Sequence, residues 1–149
     1  MKKLNISKLV LMSVALLCTV ILPLSVTAGD YDGSKQLYCA IIDGVQCFPG
    51  GECQAVETAD VNLPDFLVLN FKKKIITTTN KQCGERSSKI ESKKVVDGKL
   101  MVQGAEDGVE GLQDGVAWSF AINESTGKMV LTESGEGVGF VFFGACTPQ

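Results

Sequence analysis

The sequence predicts an all-β domain, a small antiparallel meander of about eight or nine strands that closes into a barrel. Segments rich in Val, Ile, Thr and aromatic residues recur at short, regular intervals, and Gly, Pro, Asn and Asp residues separate them. Hardly any segment repeats its apolar residues with the period of a helix. The last segment, residues 137–146, is apolar on both faces of the predicted strand. We expect it to close the barrel against the first strand, because closure covers a strand and removes sheet edges.

The predicted elements follow one another with few crossovers. Strands are expected over residues 37–45, 52–57, 66–71, 74–79, 86–96, 99–103, 116–122, 128–133 and 137–146, with one short helical turn near 58–64. Asp97 and Gly98 are typical of a two-residue hairpin turn. Trp118, Phe120 and Ile122 alternate with small residues and therefore predict one buried face.

The N-terminus has the layout of a secretory signal peptide. Lys2, Lys3 and Lys8 form a basic start, and an apolar run over residues 9–24 follows. The small residues that end at Ala28 suit a signal peptidase, so we expect cleavage after Ala28 and a periplasmic or secreted protein. The alternative is an uncleaved membrane anchor, because the apolar run approaches the ~18 residues that a spanning helix needs.

Without residues 1–28, the chain suits a single domain with a substantial core. Residues 29–36 are polar and are expected to form a flexible N-terminus, and the barrel-like domain covers residues 37–149. The whole chain has a formal net charge of −3, and loss of the signal peptide removes lysines but no acids. An acidic domain without a basic cluster argues against nucleic acid and anionic membrane as partners.

The cysteines of the predicted domain suit disulfides, which an oxidising compartment favours. Cys47 and Cys53 bracket a turn-forming sequence and are expected to pair across a hairpin. Cys39 and Cys146 lie in the first and last strands, which barrel closure makes neighbours, so a second disulfide is expected there. Cys83, in a polar loop, is then the free thiol. Spacing alone does not determine pairing, so other connectivities stay open.

The chain lacks residues that several common kinds of catalytic, metal-binding and nucleotide-binding site require. It has no histidine, which excludes Ser-His and Cys-His nucleophiles and any metal site that needs histidine. It also lacks Cys-x-x-Cys pairs and the glycine-rich fingerprints of nucleotide binding. The sequence therefore assigns no catalytic, cofactor-binding or metal-ligating residue. A reactive thiol at Cys83, favoured by the nearby Lys81 and Arg86, is an alternative to a simply unpaired or dimerising cysteine.

The segment over residues 106–114 is acidic and rich in glycine. Its carboxylates belong to Glu106, Asp107, Glu110 and Asp114. Such oxygens suit calcium, but the spacing matches no EF-hand loop, and a solvated hairpin tip has the same composition. We expect a hairpin tip, with calcium binding as the alternative. Acids are also plentiful enough for a hydrolytic carboxylate pair, although no spacing selects one.

The aromatic residues allow two interpretations. One is that they line a cavity for an apolar ligand, as in barrels with an open mouth; the candidates are Trp118, Phe120 and Phe142, together with Phe66, Phe71, Phe140 and Phe143. A barrel of this size needs most of its interior for packing, so filling of the core is the favoured interpretation.

Three stretches resemble a family of small exported proteobacterial proteins with no assigned function. They are Asn-Leu-Pro-Asp-Phe at residues 62–66, Trp118-Ser119, and residues 137–146. The resemblance covers most of the predicted domain, implies a periplasmic location and supplies no catalytic residues. Small exported barrels that inhibit lysozymes or proteases have a similar size and strand content, but the chain carries no inhibitor motif.

We therefore predict an exported, disulfide-stabilised β domain that acts as a non-catalytic binding or interaction module. Its partner would be an envelope protein or a small apolar ligand. Two alternatives stay open. A lipocalin-like carrier needs a large interior cavity, and a carboxylate-dependent hydrolase needs two acids that converge in a cleft.

Overall fold

The computed structural model describes residues 30–78, 86–108, 111 and 113–149. The predicted signal peptide and Cys83 lie outside these residues. The described strands are β1 (Leu37–Cys47), β2 (Cys53–Ala55), β3 (Phe66–Asn70), β4 (Ile75–Thr78), β5 (Ser87–Val96), β6 (Lys99–Glu106), β7 (Val116–Asn123), β8 (Lys128–Gly135) and β9 (Val138–Pro148). A 3₁₀ turn, Thr58–Val61, lies between β2 and β3. No helix in the described part of the chain is long and apolar enough to cross a membrane.

The strands form an antiparallel meander that closes into a barrel, which confirms the predicted fold class. Eight strands make the barrel, and each pairs with its neighbour in the order β1, β3, β4, β5, β6, β7, β8, β9. Strand β9 then pairs with β1 along nearly its whole length, from Pro148 opposite Leu37 to Gly139 opposite Cys47. The short strand β2 is an addition beside the end of β1. The apolar last segment therefore closes the barrel, because β8 and β1 cover its two edges.

Two bulges accompany this closure. The register between β1 and β9 shifts between Ile41 and Asp43, and the register between β5 and β6 shifts between Ile90 and Ser92. An extra residue in one strand bends it and increases its twist, which a small barrel needs. The bulge in β1 leaves Ile42 on the outer surface.

The core lies inside the barrel and is made by alternate residues of the strands. The buried side chains are apolar: Leu37, Cys39, Leu67, Leu69, Ile76, Ile90, Leu100, Val102, Trp118, Phe120, Ile122, Met129, Leu131, Phe142 and Cys146. The alternation that the sequence predicts for β7 is confirmed, since Trp118, Phe120 and Ile122 are all buried. Burial of this apolar surface is the main term that favours folding.

A glycine makes room for the largest core side chain. Gly104 of β6 lies directly opposite Trp118 of β7. A Cβ atom at Gly104 would collide with the indole ring of Trp118 and with the carbonyl oxygen of Lys89. The indole therefore lies flat across the backbone of β6, and its Nε1 donates a hydrogen bond of 2.8 Å to Ser88 Oγ. This bond satisfies the one polar group of the side chain.

Both predicted disulfides are present. Cys39 and Cys146 face each other across β1 and β9, and both are buried. Cys47 and Cys53 face each other across β1 and β2, at the exposed hairpin that contains Gly50 and Gly51. Directly opposed positions bring two Cβ atoms within reach of a disulfide bond, which is why closure of the barrel and the hairpin turn decide the pairing.

The N-terminal residues cover the barrel end at which β1 begins. Tyr31 packs against the core, and Gly33 is buried. Lys93 of β5 donates a hydrogen bond of 2.9 Å to the carbonyl oxygen of Gly33, and its ammonium lies 5.3 Å from the centre of the Phe71 ring. The sequence predicts a flexible segment over residues 29–36, whereas the described part of it contacts the barrel. The reason is tertiary, because the open end of a barrel exposes apolar side chains that a short polar segment with one tyrosine can cover.

Candidate functional site

The opposite end of the barrel contains an open cavity of about 550 Å³. It lies where β6 and β8 end and where β7 and β9 begin. Its lining residues are Val61, Asn62, Leu63, Arg86, Glu106, Asp107, Gly108, Asp114, Val116, Glu133 and Phe140. Apolar and charged side chains therefore share one concave surface.

Glu133 is the most unusual residue of this cavity. It follows Met129 and Leu131 on the inward face of β8, so its side chain enters the barrel above a buried leucine. Its partners on the two adjacent strands are Trp118 of β7 and Phe140 of β9. The carboxyl group therefore lies at the boundary between the packed interior and the open cavity.

Neither neighbouring side chain stabilises a charge on Glu133 by a hydrogen bond. The indole of Trp118 donates to Ser88, and Phe140 has no donor. Two causes together raise the pKa of Glu133 from its ordinary value of 4.5 to about 7: burial of the carboxyl group, which is the larger, and the negative charge of Glu106. A carboxyl group with this pKa changes its charge near neutral pH.

The other charged groups of the cavity are mostly acidic. Glu106 ends β6, and Asp107 and Asp114 belong to the segment between β6 and β7. Arg86 precedes β5, and its Nη1 donates a hydrogen bond of 3.4 Å to the carbonyl oxygen of Asn62. Among the described residues, four carboxyl groups and one guanidinium group line the cavity, so its described lining has an excess of negative charge when Glu133 is ionised.

Three of the aromatic residues that the sequence nominates for a ligand cavity, Trp118, Phe120 and Phe142, belong to the core. Trp118 and Phe120 line a small cavity of about 70 Å³ that shares Leu63, Glu106 and Glu133 with the larger one. Phe142 is fully buried, and its ring stacks on that of Phe140 with 6.0 Å between the ring centres. These side chains fill the interior, and the larger cavity begins above them.

The acidic segment is divided between a strand and a loop. The strand that the sequence predicts over residues 99–103 is longer in the structure, where β6 continues to Glu106 because Glu106 pairs with Val116. Among residues 106–114, positions 109, 110 and 112 lie outside the described part. Where the structure describes the chain, no group of three or more Cys, Asp or Glu side chains is arranged to hold a metal ion. Cys83 also lies outside the described residues.

Glu133 and Arg86 were not singled out from the sequence as residues of a ligand cavity, whereas Phe140 was one of the aromatic candidates and does line it. The available signal was the alternation in β8, where Met129, Leu131 and Glu133 occupy successive inward positions. A carboxylate that continues an apolar inward face is unusual, because burial of an unpaired charge is costly. The residues opposite Glu133 belong to β7 and β9, so the site can be identified only when the register of β7, β8 and β9 is known.

The raised pKa of Glu133 predicts a pH-dependent cost to stability. The carboxyl is protonated in both states below pH 4.5, but between 4.5 and about 7 only the unfolded chain ionises fully. Stability is therefore lost as the pH rises through this range. We expect Glu133→Gln to increase the free energy of unfolding by about 3 kcal/mol at about pH 8 and to change it little at about pH 4.

Urea unfolding of both proteins at the two pH values measures this difference. Glu136→Gln, in the exposed turn after β8, is the matched control, and we expect it to change stability little at either pH. An equal gain for Glu133→Gln at both pH values would contradict the titration of Glu133 and would indicate a packing effect.

Comparison with known proteins adds no information about what this site binds. Comparisons of the chain with protein-family models, with curated proteins and with solved structures found no significant match.

Proposed function

We propose that the protein is an exported, non-catalytic binding module that takes its ligand in the open cavity of the barrel. The observation that carries this proposal is the cavity of about 550 Å³ above a closed core. Ligand sites in proteins commonly have volumes of about 300–1,000 Å³, and the mouths of β-barrels are among the places where they occur.

The filling of the interior favours this site over a lipocalin-like interior cavity. Phe120, Leu131 and Phe142 are all buried inside the barrel, and the cavity beside Phe120 and Leu131 is only about 70 Å³. An apolar ligand of ordinary size has no room there, whereas the open end can accommodate one. The proposed site is therefore the mouth and its charged rim.

Two features support the proposal that the domain works outside the cytoplasm. The structure contains the disulfides Cys39–Cys146 and Cys47–Cys53, which persist in oxidising compartments. The basic and apolar N-terminal sequence that ends at Ala28 agrees with export. We propose a periplasmic or secreted location on these grounds.

Native mass spectrometry of the protein purified from its own host tests the binding site. We expect a bound small molecule, and we expect Val116→Trp to abolish it, because a larger side chain at the start of β7 would occupy the cavity. Val95→Trp, at an exposed position of β5, is the control and should retain the ligand. A ligand that survives Val116→Trp would contradict the proposed site.

A carboxylate-dependent hydrolase is a second candidate, and one observation favours it. Glu106 and Glu133 line the same cavity, and the charge of Glu106 contributes to the raised pKa of Glu133. A protonated carboxyl group beside an ionised one is the arrangement that glycoside hydrolases use. Release of reducing ends from oligosaccharides, lost in both Glu133→Gln and Glu106→Gln, would replace the binding proposal by an enzymatic one.

A further inference from the structure

We infer that the ligand of the open cavity is a small organic cation, with an ammonium or guanidinium group on an apolar body, and that Glu133 binds the cationic group. This inference rests on the proposed function, because it names the class of ligand for the same site.

The position of Glu133 provides the first argument. Phe140 of β9 lies directly opposite Glu133 of β8 and lines the same cavity, so an aromatic side chain lies beside the carboxyl group at the open mouth. Aromatic rings attract cations through their faces, and a partly buried carboxylate without a hydrogen-bond donor gains most from a cation that brings its own N–H groups. The two kinds of side chain together favour a cation over a neutral or anionic group.

The balance of charge provides the second argument. Glu106, Asp107 and Asp114 line the same cavity as Glu133, and Arg86 is the one basic side chain in the described lining. Arg86 donates to the carbonyl oxygen of Asn62. A cavity with this excess of carboxylates attracts cations and repels anions, because its walls concentrate the field.

The walls provide the third argument, since they select an organic cation. Val61, Leu63, Val116 and Phe140 give the cavity apolar surface. Within the described part of the chain, no acids come together in a group that could hold a metal ion. A hydrated metal ion would leave the apolar walls unused, whereas an alkyl or aryl chain would bury them.

Binding of such a cation depends on pH through Glu133. The groups that share its cavity are Glu106 from β6, Asp107 and Asp114 from the following segment, and Arg86 from the start of β5, while the facing residues of β7 and β9 do not titrate. An alkylammonium ion stays protonated up to a pH of about 10. The affinity should therefore increase as the pH rises through about 7, where Glu133 ionises.

Calorimetric titration with hexylammonium, hexanol and hexanoate tests the inference. These three probes have similar alkyl chains, and their polar groups are cationic, neutral and anionic. We expect hexylammonium to bind at least about tenfold more tightly than hexanol at about pH 8, and hexanoate to bind more weakly than either. We expect the preference for hexylammonium to decrease markedly at about pH 5.

The variant Glu133→Gln tests whether Glu133 binds the cationic group. We expect it to weaken the binding of hexylammonium by about 10- to 100-fold, to remove the dependence on pH and to leave the binding of hexanol unchanged. Glu136→Gln carries the same change of charge outside the cavity and should bind like the original protein. Near-ultraviolet circular dichroism checks that both variants keep the fold.

Any of three binding results would overturn the inference, and so would a fourth result, the absence of binding. The three binding results are equal affinity for hexanol and hexylammonium, a preference for hexanoate, and unchanged hexylammonium binding in Glu133→Gln. Absence of binding by all three probes would overturn it as well. The proposed function is judged separately, because a ligand that co-purifies with the protein and is lost in Val116→Trp would support the cavity as a binding site whatever its charge.

Discussion

Replacement of both Cys39 and Cys146 by alanine should lower the free energy of unfolding by about 4–5 kcal/mol in oxidising buffer. The disulfide joins β1 to β9 and spans a sequence separation of 107 residues. A cross-link over so long a loop removes many conformations from the unfolded chain, and the chain-entropy model relates its effect to the length of that loop. Both sulfur atoms are buried, so alanine avoids placing a hydroxyl group in the core.

Cys47→Ala with Cys53→Ala is the matched control. This disulfide spans a separation of only 6 residues, and the same model predicts a loss of about 2.4 kcal/mol. Chemical unfolding with and without a reductant measures both variants. When the reductant is present, the difference in the free energy of unfolding between the original protein and each variant should become small. A larger loss from the short loop than from the long one would contradict the entropic explanation.

Phe142→Ala should lower the free energy of unfolding by about 3–5 kcal/mol. Phe142 has 0% of its surface exposed, and it lies at the middle of the strand that closes the barrel. Its neighbours across the sheet are Leu131 on β8 and Gly44 on β1, so its ring crosses the backbone of β1 where no side chain competes for space. Removal of the ring leaves a cavity that these neighbours cannot fill.

The adjacent residue provides the control, because successive side chains of a strand point to opposite faces. Phe143 is 45% exposed on the outside of the barrel, so Phe143→Ala should lower stability by less than about 1 kcal/mol. Both variants replace phenylalanine by alanine, and urea unfolding measures the free energy of unfolding of each. Similar losses at both positions would contradict the burial of one face of β9.

Most of the barrel could be predicted from the sequence because its signals are local. Alternation at Trp118, Phe120 and Ile122 correctly identifies the inward face of β7, and the turn at Asp97 and Gly98 correctly separates β5 from β6. Both turn residues have positive φ angles, as such a hairpin requires. These features depend on residues near one another in the chain, so a pattern in the sequence is enough to show them.

The boundaries that the sequence predicted less well depend on partners from elsewhere. Strand β6 extends to Glu106 because Val116 provides hydrogen-bonding positions opposite it. Strand β2 covers only Cys53–Ala55, since β1 offers it a short edge beyond β3. A strand continues for as long as a neighbour pairs with it, and the composition of one segment does not contain that information.

The sequence by itself determined the kind of protein this is: an all-β chain without histidine, with a clear inward face on the strand that contains Trp118, and with cysteines in the first and last strands. Only the tertiary structure decided that Glu133 lies opposite Trp118 of β7 and Phe140 of β9 at an open mouth, and that Trp118, Phe120 and Phe142 belong to the buried core. The reason is physical. Periodicity determines which face of a strand is buried, whereas register across several strands determines which side chains meet there.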